Sequence, residues 1–268
     1  MRTVKILTMV ALALAICASV YADVNAGLVS AYTFEDGTAV DETGRNNGVV
    51  HGATKVAGQN GNCLNFNGSS DYVEVPDSPS LQLPEGLTVA AWINFPAGKD
   101  HGGVCAKHVM IGWGANFSWR IATTSDTGAT WGRTKEGVEG YFATDGVLPG
   151  ANQWIHVALT CMAPGAATNQ RAYVDGEDIT DVTGQTDNIA LAPPFLVFEG
   201  VPVEIGVSRG YGGVAGDDVY FEGMIDDVAI YNRGLTANEI NELMNIDLTT
   251  AVALAGKATS TWAKIKSE

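Results

Sequence analysis

Short runs of alternating apolar and polar residues recur along this chain, each bounded by Gly, Asn or Asp. Successive side chains of a strand face opposite sides, so a period of two marks a half-buried strand. The runs that fit are LVSAYTF (Leu28 to Phe34), CLNF (Cys63 to Phe66), DYVEV (Asp71 to Val75) and LTVAAWINF (Leu87 to Phe95). Further along come FSWRIAT (Phe117 to Thr123), GYFAT (Gly140 to Thr144), WIHVALTC (Trp154 to Cys161), RAYVDG (Arg171 to Gly176), VEIGV (Val203 to Val207) and MIDDVAIYN (Met224 to Asn232). One stretch has the helical period instead: in LTANEINELMN, Thr236 and Glu239 form a capping box, and Ile240 and Leu243 lie on one face. The pattern predicts an all-β fold closed by one short C-terminal helix, without an internal repeat.

The beginning of the chain changes the picture of where it works. Arg2 and Lys5 precede an apolar run from Ile6 to Ile16, followed by the small-residue end Val20-Tyr21-Ala22. This is the pattern of a secretory signal peptide. It predicts cleavage after Ala22 and a secreted, extracellular or periplasmic, soluble protein, with residues 23–246 as the domain and 247–268 as a tail. A membrane span takes ~20 apolar residues, so a transmembrane segment is not expected. The formal net charge of -15 opposes binding to phosphate backbones, which argues against a nucleic-acid partner. Beyond the leader, Cys63, Cys105 and Cys161 remain. Either one disulfide and one buried thiol, or three small buried strand residues, fits that odd number.

Several side chains invite chemistry. In MIDDVAIYN, alternation places Asp226 on the face of Met224, Val228 and Ile230, pointing inward, and leaves Asp227 exposed. A buried carboxylate is costly unless it is hydrogen-bonded or coordinates an ion. His101, Cys105 and His108 have a zinc-like spacing but no evident fourth ligand, so a loop-to-strand surface is the expectation. His156 has no adjacent nucleophile or acid and reads as a strand residue on a sheet face. Phe117 and Trp119 share one strand face and read as core, whereas Trp113, among glycines, is the candidate for stacking on a ligand ring. Asn67 and Asn116 each begin an Asn-X-Ser sequon.

In order, GLVSAYTFEDGTAVDETGRNNGVVHGA (Gly27 to Ala53), CLNFNGSSDYVEVPDSPSL (Cys63 to Leu81), LTVAAWINF, QWIHVALTC, RAYVDGE and GMIDDVAIYNRGLTANEI (Gly223 to Ile240) resemble the laminin-G-like, concanavalin A-like jelly-roll family. The resemblance implies two antiparallel sheets packed face to face. It also implies a calcium ion between the turn after the first strand and the last strand, which maps onto Asp36 or Asp41 together with Asp226. The E-x-D-x-x-E strand of the related glucanases does not occur here, and Glu136 and Glu139 lie in a glycine-containing loop-like stretch. TTSDTGATWGR (Thr123 to Arg133) resembles a sialidase Asp-box, but a single box reads as a structural hairpin. The expectation is a non-catalytic module that binds a glycan or an extracellular protein, stiffened by calcium. The alternatives are a glycosidase with acids from distant strands, or a purely structural adhesion domain.

Overall fold

The computed structural model describes residues 24–98, 102–108, 117–135, 138–144, 146–162, 170–180, 193–209, 218–249 and 252, with backbone alone at 117, 118 and 130–144. The expected signal peptide therefore lies outside the described residues. The strands are β1 (Leu28–Tyr32), β2 (Val49–His51), β3 (Thr54–Ala57), β4 (Asn62–Asn67), β5 (Tyr72–Val75) and β6 (Leu87–Asn94). Next come β7 (Gly102–His108), β8 (Phe117–Thr123), β9 (Ala129–Lys135), β10 (Val138–Thr144), β11 (Ile155–Cys161) and β12 (Gln170–Val174). The chain ends with β13 (Glu177–Asp178), β14 (Val203–Ile205), β15 (Val207–Ser208), β16 (Val219–Tyr220), β17 (Glu222–Tyr231) and a helix, α1 (Ala237–Asn245).

Two antiparallel sheets make the sandwich. One runs β13-β12-β11-β6-β17-β4-β3, with β1 also paired to β17; the other runs β10-β9-β8-β7-β14-β5-β2. Between them lies the main core, built from one face of each strand, including Leu64, Phe66, Val73, Val75, Val89, Ile93, Trp119, Ile121, Val157, Ile205, Val228 and Ile230. The alternation read from the sequence is thus the alternation between core and outer face.

The outer face of the eight-stranded sheet carries a second apolar cluster under α1. Ala31 lies opposite Ala229, Ala229 opposite Ala90, and Ala90 opposite Ala158, giving a row of alanines across four strands. These small side chains leave room for Ile240 and Leu243 of α1, which pack there with Tyr173, Tyr231 and Leu235. The capping box expected at Thr236 and Glu239 is present, with both reciprocal bonds made. Arg233 adds an ion pair to Glu239 at 2.6 Å. Leu248 is buried in the same cluster, so the packed unit runs past the expected boundary at residue 246, and Trp262 of the tail lies outside the described residues.

Candidate functional site

β1 pairs with β17, and a carboxylate-centred loop lies beside each. After β1, the chain turns back on itself around Asp41, which is 1% exposed. Its carboxylate accepts from the backbone N–H groups of Ala31 (3.0 Å), Thr43 (3.0 Å), Arg45 (3.2 Å) and Asn46 (2.9 Å), and from the Thr43 hydroxyl (2.8 Å). Asn46 then ties this loop to Ser30, Ser78 and Ser80. Asp36, by contrast, is exposed and accepts from Thr38 N–H and hydroxyl, and these bonds hold its carboxyl below the usual range.

Asp226 sits where β17 changes partner. Residues 222–225 pair with β4, while Val228–Tyr231 pair with β1, and the register against β6 slips between Asp226 and Ala229. The slip is a β-bulge with Asp227 at a φ of 48°. It corrects the alternation read from the sequence, because the extra residue reverses the phase. Val228 and Ile230 face the core, whereas Met224 and Asp226 share the outer face opposite Asn94 and Trp92. Asp226 is nonetheless fully buried, because the β3–β4 turn folds over it. Its carboxylate accepts from Gln59 N–H (2.9 Å), Asn60 N–H (3.1 Å) and Asp227 N–H (2.9 Å).

Asp227, expected to be exposed, is 8% exposed and accepts from the Asn60 side chain at 2.7 Å. Burial is the main force pushing the carboxyls of Asp226 and Asp227 up, to about 6 and about 7, with Glu35 repelling both and Asp226 and Asp247 adding to Asp227. Glu35 itself accepts from the Asn62 backbone and side chain. The structure does not assemble Asp36, Asp41 and Asp226 as one donor set: among the described residues no three His, Cys, Asp or Glu side chains converge to hold a metal. Asp41 instead organises the opening loop through its hydrogen bonds.

Other candidates resolve into structural roles. Trp113, His101 and Asn116 lie outside the described residues, as do Glu136 and, in its side chain, Glu139. Cys105 is buried in the core, with its thiol pushed up by burial, and His108 is pushed down to about 4, chiefly by burial. Trp119 is likewise core. Cys63, Cys105 and Cys161 are all buried thiols. His156 faces Trp92 edge-on at 5.2 Å, and burial pushes it down to about 4. The Asp-box forms the turn between β8 and β9, where Thr124 N–H donates to the Gly128 carbonyl and Asp126 accepts from Gly98 N–H. The Asn67 side chain is wholly engaged in its own turn: its Oδ1 accepts from Ser69, Ser70 and Asp71 N–H, and its Nδ2 donates to the Ser70 hydroxyl.

One constellation was not legible in the sequence. On the outer face of the seven-stranded sheet, Val73 and Val75 point into the core, so Tyr72 and Glu74 point out. The register then places His51 beside Tyr72, Val49 beside Glu74, and Glu74 beside Glu204. Arg209, just after β15, lies over this surface. Its Nε and Nη2 donate to Glu204 Oε1 at 2.9 and 2.7 Å, and its Nη1 donates to Asp218 at 2.8 Å and to the Tyr220 hydroxyl at 3.0 Å. The guanidinium carbon lies 4.6 Å from the Tyr72 ring centroid and 5.7 Å from that of Tyr220. His51 stacks on Tyr72 at 4.4 Å.

Burial opposes the charge of Arg209, but the bonds to Glu204 and Asp218 outweigh it and hold the guanidinium above its usual value. Burial also pushes Glu204 up, beyond what Arg209 restores. The result is a fixed, half-exposed patch of aromatic rings around a neutralised guanidinium. Such a patch offers ring faces and hydrogen-bonding edges rather than a free charge.

This geometry fits the family that comparison reveals. The chain belongs to the concanavalin A-like lectin/glucanases superfamily, whose Laminin_G_3 family matches residues 67–241. Among solved structures, domain 4 of AbnA, a GH43 extracellular arabinanase from Geobacillus stearothermophilus in complex with arabinotriose, superposes with a TM-score of 0.56 at 18% identity, covering 81% of this chain and 97% of that one. The binding domain of botulinum neurotoxin DC in complex with SialylT gives 0.57 at 16% identity, covering 83% and 52%. Trypanosoma rangeli sialidase gives 0.57 at 19%, covering 81% and 32%. This chain thus spans about half the toxin binding domain and about a third of the sialidase, and at these identities the likeness establishes the fold. A search of curated proteins gave no match. Among the described residues no helix is long and apolar enough to cross a membrane.

Proposed function

We propose that this is an exported, non-catalytic carbohydrate-binding domain whose ligand, an uncharged glycan, lies across the outer face of the seven-stranded sheet. The observation that carries this reading is the half-exposed group of Tyr72, Tyr220 and His51 around Arg209. Aromatic rings accept the C–H faces of a sugar, and the flanking polar edges select its hydroxyls. Glu74, Glu204 and Asp218 outnumber the arginine, which disfavours an acidic ligand. The leader sequence and the arabinotriose complex of a fold neighbour support the same reading.

Catalysis is disfavoured by the same geometry. Glu204 has two carboxylate neighbours on this face, Asp218 across Arg209 and Glu74 across the strand pairing, as a hydrolytic pair would require. Glu204, however, holds the guanidinium through one oxygen that accepts two N–H groups, and so is not free to move a proton at a glycosidic oxygen. The calcium reading stays with Asp226 and leaves Asp36 and Asp41. What supports it is a buried pair of acids pressed upon by further acids, a charge that a hard divalent cation relieves. Backbone carbonyls would complete its oxygen shell. A glycan array followed by a chromogenic glycoside panel tests the reading: saturable binding of neutral glycans without turnover is expected. Turnover that disappears in Glu204→Gln would replace binding with hydrolysis.

A further inference from the structure

We propose a second binding site, on the opposite side of the sandwich, for a neutral polyhydroxylated ligand. Beyond the part of the eight-stranded sheet that α1 covers, β4, β17 and β6 leave an open cleft of about 360 Å³. That volume falls within the ~300–1,000 Å³ of small-ligand sites. The register sets Asn65 and Asn94 on either side of Met224, an amide, a thioether and an amide in one row. Glu222 lies on one rim, and Pro96 and Asn152 close the other. Their sequence neighbours Leu64, Phe66, Ile93, Phe95 and Ile225 are all in the core, which fixes the row outward. Gly223, at a φ of 129°, is required here, since a Cβ would collide with the carbonyl of Asn94.

The amides are what point to a ligand. Several asparagines elsewhere are structural, the side chains of Asn46, Asn60, Asn62 and Asn241 being hydrogen-bonded. Those of Asn65, Asn94 and Asn152 make no hydrogen bond among the described residues, and all three line one cleft. Each amide offers two donors and an acceptor in a plane, which matches neighbouring hydroxyls. The Met224 thioether and the Pro96 ring supply an apolar surface for the C–H face between those hydroxyls. The net charge of -15 disfavours acidic sugars. With Arg209 on the other sheet, the domain would hold two glycans on opposite faces and bridge them.

Tyr72→Ala disables the first site, so the cleft is read alone in that background. The ¹⁵N-labelled variant is titrated with neutral di- and trisaccharides of glucose, galactose, xylose and arabinose, and with galacturonic acid dimers. The side-chain amide signals of Asn65, Asn94 and Asn152 are expected to move together and saturably with a neutral sugar and to ignore the acidic one. Adding Asn65→Ala and Asn94→Ala should weaken that binding at least tenfold while the backbone spectrum stays folded. Amides that respond to no sugar, that respond equally to the acidic one, or binding that survives the double substitution would overturn the proposal. Neither result depends on Arg209, so failure of the first site is seen separately as neutral-glycan binding unchanged by Tyr72→Ala.

Discussion

Asp41 and Asp226 are both buried carboxylates that accept backbone N–H groups from a folded-over turn, yet their surroundings differ. Asp41 gathers donors from four backbone N–H groups and a hydroxyl. Asp226 has three N–H donors but shares its site with Asp227 and lies close to Glu35, so burial and repulsion win and its carboxyl rises. A third solution appears at Glu204, where a guanidinium provides the counter-charge. Burial alone therefore does not say what an acid does. The number of donors and the sign of the neighbours decide, and they separate a structural loop, a crowded pair of acids and an ion-paired surface patch.

The sharpest way to break this comparison is Asp41→Ala. It strands several buried N–H groups at once, and hydrogen bonds to charged groups are worth ~1.5–3 kcal/mol each. A loss of roughly 4 kcal/mol or more in denaturant unfolding is expected, with Asp41→Asn costing about half. A loss below about 1 kcal/mol would show that the loop does not depend on its carboxylate.

The second effect is a pH dependence of the opposite origin. Burial pushes Asp226 and Asp227 up to about 6 and about 7, above the 3.8 of an unperturbed Asp. Between about pH 4 and pH 7 these two carboxyls bind more protons in the folded than in the unfolded state, so their share of stability falls as pH rises, while the buried His108 and His156, pushed down to about 4, contribute with the opposite sign. Comparing the wild type with Asp227→Asn in chelator isolates the carboxyl share. Asp227→Asn should be the more stable at pH 8 by about 1–3 kcal/mol, and the difference should shrink towards pH 5.5. A difference that does not change with pH would contradict the assignment.

Calcium sharpens the contrast with a smaller shift. Added at pH 8, it should raise the melting temperature of the wild type by a few degrees, but not that of Asp226→Asn. Asp36→Ala should leave the calcium response intact. No thermal response to calcium or chelator would leave Asp226 with its hydrogen-bonding role alone.

These distinctions also mark what the sequence could reveal. The alternating runs, the capping box at Thr236 and the ordered motifs of the superfamily carried the sandwich, since each depends on local spacing. That Asp226 is buried was legible too, but its face was not. The bulge at Asp227 places a non-glycine residue at positive φ, where β17 trades β4 for β1, and no local residue pattern signals that exchange. The Arg209 patch was invisible for a different reason. Glu204, Arg209 and Tyr220 lie within one stretch of the chain, but Tyr72 lies far from it and joins them only through the pairing of β5 with β14. Trp113, the ligand-stacking candidate, lies outside the described residues, whereas Tyr72, which no motif marks, carries the proposed site.

The most direct test is a calorimetric titration of the strongest neutral glycan from the array into the wild type, Tyr72→Ala and Arg209→Ala. Both substitutions are expected to remove the site on the seven-stranded sheet, weakening it at least tenfold, with thermal unfolding still cooperative. Unchanged affinity and stoichiometry in both variants would place the ligand elsewhere and contradict the account.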